Sequence, residues 1–321
     1  MPAACLGLWL TLGLLAPCLG LPAGDGGLAA RLGDRARLAT WLRGGAALQA
    51  PAGRIDALGA GGLQALLRPR GPDPGARLAA LSARFLEVPY LLSPLGEGPG
   101  HPPDEDPLLR LDAVDCTTFV EQVMAFARAR DLAGALRELR RIRYLDGRME
   151  FGLRKHDMLA QWLPDNQRLG VLEDITQEVG GADVRWISKR YDERLWAVRR
   201  RAGLWASVPE ERLPRGEHRL PVVPLGRVPA LAGRIPEGTL LNVLREEVPG
   251  RVTRVTHQGL VVRVDGKVCL RHARRGAARV VDEELGSFVA RNQAYRRWVV
   301  EGFNLQRIRL PAAVCPPGGR T

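Results

Sequence analysis

The sequence predicts an α+β fold, with helices early in the chain and strands late. Two patterns carry that prediction. From residue 26 to about 145, apolar residues return at helical spacing in several short segments. From "IPEGTLLNVL" onward the period shortens to two, and the run "RVTRVTHQGLVVRV", "DG", "KVCLRHA" has the form of a hairpin with a two-residue type I′ turn at Asp265-Gly266. No internal repeat interrupts this order, which favours segregated helices and strands over an alternating α/β chain.

Taken in order, residues 1–22 read as a secretory signal peptide: an apolar core from Leu6 to Leu15, then small residues and proline. That core is too short to span a bilayer, and no later segment is long and apolar enough to do so. Pro17 before Cys18 speaks against a lipoprotein. Residues 23–75 read as a helical N-terminal region, with "LAARLGDRARLATWL" and "RIDALGAGGLQALL" as its helices. The Pro/Gly break "RPRGPDPGA" separates it from a main domain over 76–313, and 314–321 form a tail. In the main domain "RLAALSARFLEVPY" reads as a helix ending before Pro89, and residues 93–107 as a loop. A helix begins in "LDAVDCTTFVEQVMAFARAR", and 132–145 give another. Residues 146–235 show little period and read as loops, short helices and edge strands. "ARVVDEELGSFVARN" and "GFNLQRIRL" supply a last strand, a helix and a closing strand.

Composition narrows the classes of function. The 321 residues are 45% hydrophobic, enough for a substantial core. The net charge of +12 comes from 47 basic residues, of which only Lys155, Lys189 and Lys267 are lysine. The arginines are scattered. They form no zinc-finger spacing, no basic region with heptads and no aromatic-rich basic strand, which speaks against nucleic acid as partner. Removal of the signal peptide leaves Cys116, Cys269 and Cys315, an odd number, so at least one thiol is unpaired within the chain. Cys269 and Cys315 either pair or stay reduced.

Cys116 is the thiol placed for chemistry. Asp115 is a good N-cap, which puts Cys116 in the first turn of a helix with Phe119, Val120, Val123, Met124 and Ala127 on its apolar face. Unpaired N–H groups and the helix dipole there are expected to lower a thiol pKa, and a partner imidazole would lower it further. His101 and His218 lie in Pro/Arg-rich loops. The hairpin makes a geometric prediction for the others: with Val264 opposite Lys267, Gly259 faces His272. His257, Gly259, Val261, Leu270 and His272 then share one sheet face. Only glycine separates the two imidazoles, so one can act as base while the second orients it. Local hydrogen bonding or a metal are alternative uses of the pair, but a zinc site wants a third ligand and Cys269 falls on the opposite face.

"DCTTFVEQ", "THQGLVV" and "RHA" resemble the three motifs of NlpC-like cell-wall cysteine amidases and peptidases. The resemblance is closer to one branch, the N-acetylmuramoyl-L-alanine amidase-like family built around Asp-Cys-Thr-Thr-Phe-Val-Glu. "FLEVPY", "RKHDMLAQWLPDNQRLGVLEDIT" and "GFNLQRI" resemble further segments of it, so the likeness runs from about residue 80 to 310. It implies a papain-like fold, with a catalytic cysteine opening a helix that packs on an antiparallel sheet, here with extra N-terminal helices and a middle insertion. It implies Cys116 as nucleophile, His257 as base and His272 as orienting group. Tyr90 would line the site, Asp115 and Thr117 would shape the turn beside the nucleophile and contact substrate, and His156, Trp162 and Asn166 would lie near the cleft or brace it. The implied activity is exported hydrolysis of peptidoglycan or muropeptides, at the bond between N-acetylmuramic acid and L-alanine, through an acyl-enzyme, in the periplasm or envelope, with no cofactor and no metal; the sequence leaves the oligomeric state open, with a monomer favoured. The alternatives are a stem-peptide endopeptidase acting between D-glutamate and the third residue, and a non-catalytic wall-binding relic. Three positions depart from the branch pattern: Glu87 for a glycine, Asp157 for a tyrosine, and Arg274-Arg275 for small hydroxyl residues.

Overall fold

The computed structural model describes residues 53–68, 73–201 and 203–311. The signal peptide, the segment 28–42, Cys315 and the tail lie outside the described residues. Among the described residues, five helices have eight or more residues: α1 (Ala60–Leu67), α2 (Pro74–Ala83), α3 (Cys116–Arg128), α4 (Leu132–Arg143) and α5 (Leu285–Ala294). Eight strands form one sheet: β1 (Leu172–Asp174), β2 (Arg185–Tyr191), β3 (Gly216–Pro224), β4 (Leu240–Arg245), β5 (Val255–Val264), β6 (Lys267–Arg274), β7 (Arg279–Glu284) and β8 (Val300–Ile308). The strand order is β2-β3-β8-β4-β5-β6-β7, with β1 beside β8, and every pairing is antiparallel. The α+β expectation is met, and β1 to β3 fall in the middle section, with β2 at the sheet edge.

Local chemistry starts each helix. Asp73 accepts from the Gly75 N–H at 2.8 Å, and Pro74 supplies a preset φ at the first position of α2. The domain boundary read at 75/76 therefore falls inside a helix. Ile55, Leu63 and Leu67 bury in the same cluster as Phe119, so the segment before that boundary shares the main core. Helix α2 ends at Ala83, short of Pro89, and "RIDALGAGGLQALL" breaks into a 3₁₀ turn (Ile55–Ala57) and α1. Asp131 caps α4 by accepting from Gly134 N–H at 2.6 Å, and Ala135, Leu139 and Ile142 turn one face of it inward. Helix α3 is enclosed on all sides: every residue from Thr118 to Ala127 is buried.

The sheet carries a helix on each face. Leu240, Leu244, Leu260, Ala273 and Val280 join Phe119, Val120 and Val123 of α3 in one cluster. Leu241, Val243, Val261, Leu270, Phe303 and Leu305 join Leu285, Phe288 and Val289 of α5 in the other. The β5–β6 hairpin has the register read from the sequence, Val264 opposite Lys267 through Leu260 opposite Arg271. Asp265 and Gly266 both have positive φ, 48° and 76°, as a type I′ turn requires. The closing strand β8 is inserted at the middle of the sheet, which the sequence order does not reveal. At Gly302 a Cβ would lie 2.2 Å from the Val223 carbonyl oxygen, so only glycine lets β3 come this close to β8.

A buried polar row crosses the α3 face. Gln258 Nε2 donates to Asn242 Oδ1 (2.7 Å), Asn242 Nδ2 to Asn304 Oδ1 (3.1 Å), and Gln306 Nε2 to Asn304 Oδ1 (2.8 Å). Asp174 Oδ2 closes the row by accepting from Asn304 Nδ2 (2.7 Å) and Gln306 Nε2 (2.8 Å). Asn304 is wholly buried and central to the row. Asn304→Leu leaves the buried Asn242 Nδ2 without its acceptor and should cost about 1–3 kcal/mol; urea denaturation should show a lower midpoint with an unchanged slope.

Candidate active site

The first turn of α3 is held by one carboxylate. Asp115 Oδ1 accepts from the Thr118 N–H (2.8 Å) and hydroxyl (2.9 Å), while Thr118 Oγ1 accepts from the Asp115 N–H (2.9 Å). The Asp115 Oδ2 accepts from Ser93 N–H at 2.8 Å. This reciprocal cap absorbs both oxygens, and Asp115 is 7% exposed. Its place as a substrate contact gives way to that of a cap, because its acceptors are already used.

Cys116 follows as the first helical residue, partly exposed. Its sulfur meets the backbone N–H of Gln258, one residue after His257, and both the hydroxyl and the N–H of Thr117. These donors favour the thiolate. Burial opposes them, with the Asp115 charge second, and together they push the pKa up to about 12. Residual exposure softens that push without reversing it. The expected lowered pKa is therefore corrected: the resting group is a thiol, because desolvation outweighs the helix N-terminus.

The two imidazoles meet as the hairpin register requires. His257 Nε2 and His272 Nδ1 are 2.6 Å apart, with ring centroids at 4.9 Å. Phe288 of α5 stacks on His257 and meets His272 edge-on. A Cβ at Gly259 would lie 2.8 Å from Leu270 Cδ1, 2.9 Å from Arg271 O and 3.0 Å from His272 Cβ, so glycine is what lets the rings approach. The β5–β6 ladder ends at the Leu260–Arg271 pair, and the strand segments beyond it carry His257 and His272. Cys116 thus comes to β5 from the α3 side, at the main chain, while the imidazoles pack on the α5 side.

A further residue, Glu283, was not read from the sequence. Its Oε2 lies 3.1 Å from His272 Nε2, and its two oxygens receive Arg291 at 2.8 and 3.0 Å, with Arg274 at 3.9 Å. Burial raises the Glu283 pKa, but the bonds from His272 and Arg291 and the arginine charges outweigh it and hold it down at about 2. The signal was available: β7 pairs His272 with Val281 and Leu270 with Glu283, so "VVDEE" read as a third strand places Glu283 on the imidazole face. Burial lowers both histidine pKa values, and for His257 the neighbouring His272, Arg291 and Arg245 add to it. Both rings are neutral near neutrality. A carboxylate at His272 Nε2 places the proton on that nitrogen, makes Nδ1 the acceptor of His257 Nε2–H, and leaves the lone pair of His257 on Nδ1.

The remaining predicted residues divide. Tyr90 forms a parallel bridge with Val114, and its N–H donates to Ala278 O at 2.8 Å, so it runs beside the segment leading into Cys116. His156, Trp162 and Asn166 brace the scaffold instead of lining the site. Trp162 Nε1 donates to Glu121 Oε1 (2.9 Å), Asn166 Nδ2 donates to Ile142 O (3.1 Å) and Trp162 O (2.9 Å), and both residues have no exposed surface. His156 Nε2 meets Phe151 O at 2.7 Å, its ring packs on Phe151 and Trp205, and burial pushes its pKa down to about 3. The Trp162 indole N–H, the Asn166 amide nitrogen and His156 Nε2 are taken by internal partners. Glu87 has φ 67°, a conformation that favours glycine, and pairs with Arg279 at 3.0 Å. Asp157 accepts from Ala160 N–H (2.7 Å) and the Tyr191 hydroxyl (2.8 Å). Among the described residues no three His, Cys, Asp or Glu side chains are grouped to hold a metal ion, and no helix is long and apolar enough to cross a membrane.

Comparison with known proteins gives a consistent picture. The family model described as N-acetylmuramoyl-L-alanine amidase-like matches residues 80–295. A crystal structure of a Legionella pneumophila protein is similar with TM-score 0.67 and 22% identity, over 75% of this chain and 90% of that one. An N-acetylmuramoyl-L-alanine amidase from Bacteroides uniformis is similar with TM-score 0.59 and 23% identity, over 74% and 99%. A protein from Bacteroides fragilis described as a putative xylanase gives 0.56 and 22%, over 72% and 100%. At these identities the likeness is one of fold. No curated protein matches the sequence.

Two measurements check the electrostatics. Alkylation of Cys116 by iodoacetamide, followed by peptide mass mapping, should speed up about tenfold per pH unit from pH 7 to 10 without levelling off; a plateau below pH 8 contradicts a protonated thiol. The depressed imidazole pKa values mean that the unfolded chain takes up protons first. Their contribution to stability is full above about pH 6.5 and is lost as pH falls below it. The urea midpoint should therefore drop from pH 7 to 5, and His156→Phe should flatten that drop.

Proposed function

The chain belongs to the N-acetylmuramoyl-L-alanine amidase-like family, and from that premise we propose that it is a cysteine amidase that cleaves the bond between N-acetylmuramic acid and L-alanine in peptidoglycan. The observation that supports this reading is the placement of Cys116, in the capped first turn of α3, against β5 at Gln258, the residue after His257, with His257, His272 and Glu283 in a row on the other side of the strand. On this reading the three groups serve as the thiol, imidazole and orienting polar group of a papain-like site.

Both reacting groups start neutral, so activation belongs to the encounter with substrate. His257 Nδ1 takes the thiol proton as the sulfur attacks the lactyl carbonyl carbon. The imidazolium that forms is steadied through Nε2 by His272, and through His272 by the Glu283 carboxylate. N–H groups at the start of α3 stabilise the oxyanion. The tetrahedral adduct collapses, the carbon–nitrogen bond breaks, and His257 delivers its proton to the departing L-alanine amine. A low imidazole pKa helps here, because it makes the imidazolium a strong acid. Water, deprotonated by His257, then cleaves the thioester and frees the muramoyl carboxylate and the thiol. Residues 1–22 agree with export of the enzyme to the periplasm or envelope, where this substrate lies.

Cys116→Ala should abolish release of peptide from purified muropeptides while leaving the fold intact. Glu283→Gln should lower kcat at least about tenfold, because an amide can face His272 with either end and no longer dictates the tautomers. Mass spectrometry of a digested muramoyl tripeptide should show free N-acetylmuramic acid and intact tripeptide. A cut between D-glutamate and the third residue would make the protein an endopeptidase, and hydrolysis surviving Cys116→Ala would remove the nucleophile from this scheme.

A further inference from the structure

Beside His257 lies a guanidinium group with no acidic partner among the described residues. Arg245 ends β4, two residues beyond Val243, which pairs directly with His257. Its Nε donates to the Thr256 hydroxyl at 3.1 Å, and Thr256 precedes His257 in the chain. Its Nη1 donates to the Trp298 carbonyl. Of the five N–H groups of an arginine, these two bonds leave three unused. The surrounding arginines differ: Arg254 pairs with Glu247 and Glu301, and Arg291 with Glu283. Among the described residues no carboxylate lies within ion-pair distance of Arg245.

Two aromatic rings hold this guanidinium in place. It lies over Tyr295 at 5.0 Å and over Trp298 at 5.6 Å, and Arg251 covers Trp298 at 4.2 Å. Trp298 is itself fixed, since its Nε1 donates to Glu246 O at 2.9 Å. Tyr295 is 45% exposed, so the platform opens to solvent. Aromatic faces orient a guanidinium plane but do not neutralise it. The arrangement keeps a partly buried positive charge, with free donors, next to an imidazole that must accept a proton. That charge works against the imidazolium, and an anion bound there would offset it.

We propose that Arg245, set between Tyr295 and Trp298, is a subsite for a carboxylate on the peptide arm of the substrate. This rests on the amidase reading, since it assigns the pocket to the same muramoyl peptide that the thiol attacks. A guanidinium with unused parallel donors suits a planar carboxylate and is a poor partner for the corresponding amide.

The test uses the Cys116→Ala chain, which binds substrate without consuming it. Calorimetry would compare N-acetylmuramoyl-L-alanyl-D-glutamate with its diamide. The acid should bind about tenfold more tightly than the diamide. Arg245→Met should erase that preference while leaving the affinity for the diamide unchanged, and Arg245→Lys should restore part of it. Tyr295→Leu, at an exposed position that spares the core, should weaken the acid alone by a few fold. Thermal melting of each variant identifies any that fails to fold. A preference that survives Arg245→Met, or no preference in the parent, overturns the subsite while wild-type hydrolysis of muropeptides still supports the amidase reading. Failure of both ligands to bind, together with no hydrolysis by the wild type, overturns both.

Discussion

Position 259 has room for a hydrogen atom and nothing more. The hairpin brings Leu270, Arg271 and His272 across from it so closely that any side chain would have to displace one of them. That single gap lets two imidazoles from different strands meet at 2.6 Å, and the meeting aligns everything downstream of it, from the second imidazole to Glu283 and Arg291. On the other side of β5, the Asp115 cap performs the matching task for the thiol. It ties α3 to the Ser93 main chain and so fixes the first turn against the strand. Two small constraints, a missing side chain and a helix cap, therefore set the geometry of the whole site.

Burial gives that geometry its chemical character. A cysteine at a helix N-terminus is usually read as a thiolate in waiting, but here the enclosed setting of α3 and the neighbouring Asp115 charge keep it protonated. The imidazoles are kept neutral by the same desolvation. The resting site is thus a neutral pair flanked by fixed charges, with Glu283 and Arg291 locked together on one side and Arg245 unmatched on the other.

Much of this was legible in advance, and for identifiable reasons. The capped start of α3 follows from Asp115, Cys116 and the apolar spacing after them, because capping is a local interaction. The shared face of His257 and His272 follows from the Asp265-Gly266 turn, because a two-residue turn leaves only one register. Glu283 was missed because it enters through a third strand, and a strand pairing outside a tight turn has no register mark in the sequence. His156, Trp162 and Asn166 lie close to one another in the chain, yet their partners are main-chain and side-chain atoms brought in from α3, α4 and the 146–166 segment. Nothing in their spacing distinguishes a brace from a ligand-binding residue.

By itself the sequence determined the helix that starts at Cys116 and its cap, the hairpin turn, and the shared sheet face of His257 and His272. These depend on interactions between residues a few positions apart, whose geometry a short stretch of chain dictates. Only the tertiary structure decided that β8 enters the centre of the sheet, that Glu283 completes the imidazole row, that the thiol stays protonated and that Arg245 stands without an acid. Each of those depends on which groups are brought close from remote parts of the chain and on how much water is left around them, and neither quantity is written in local order.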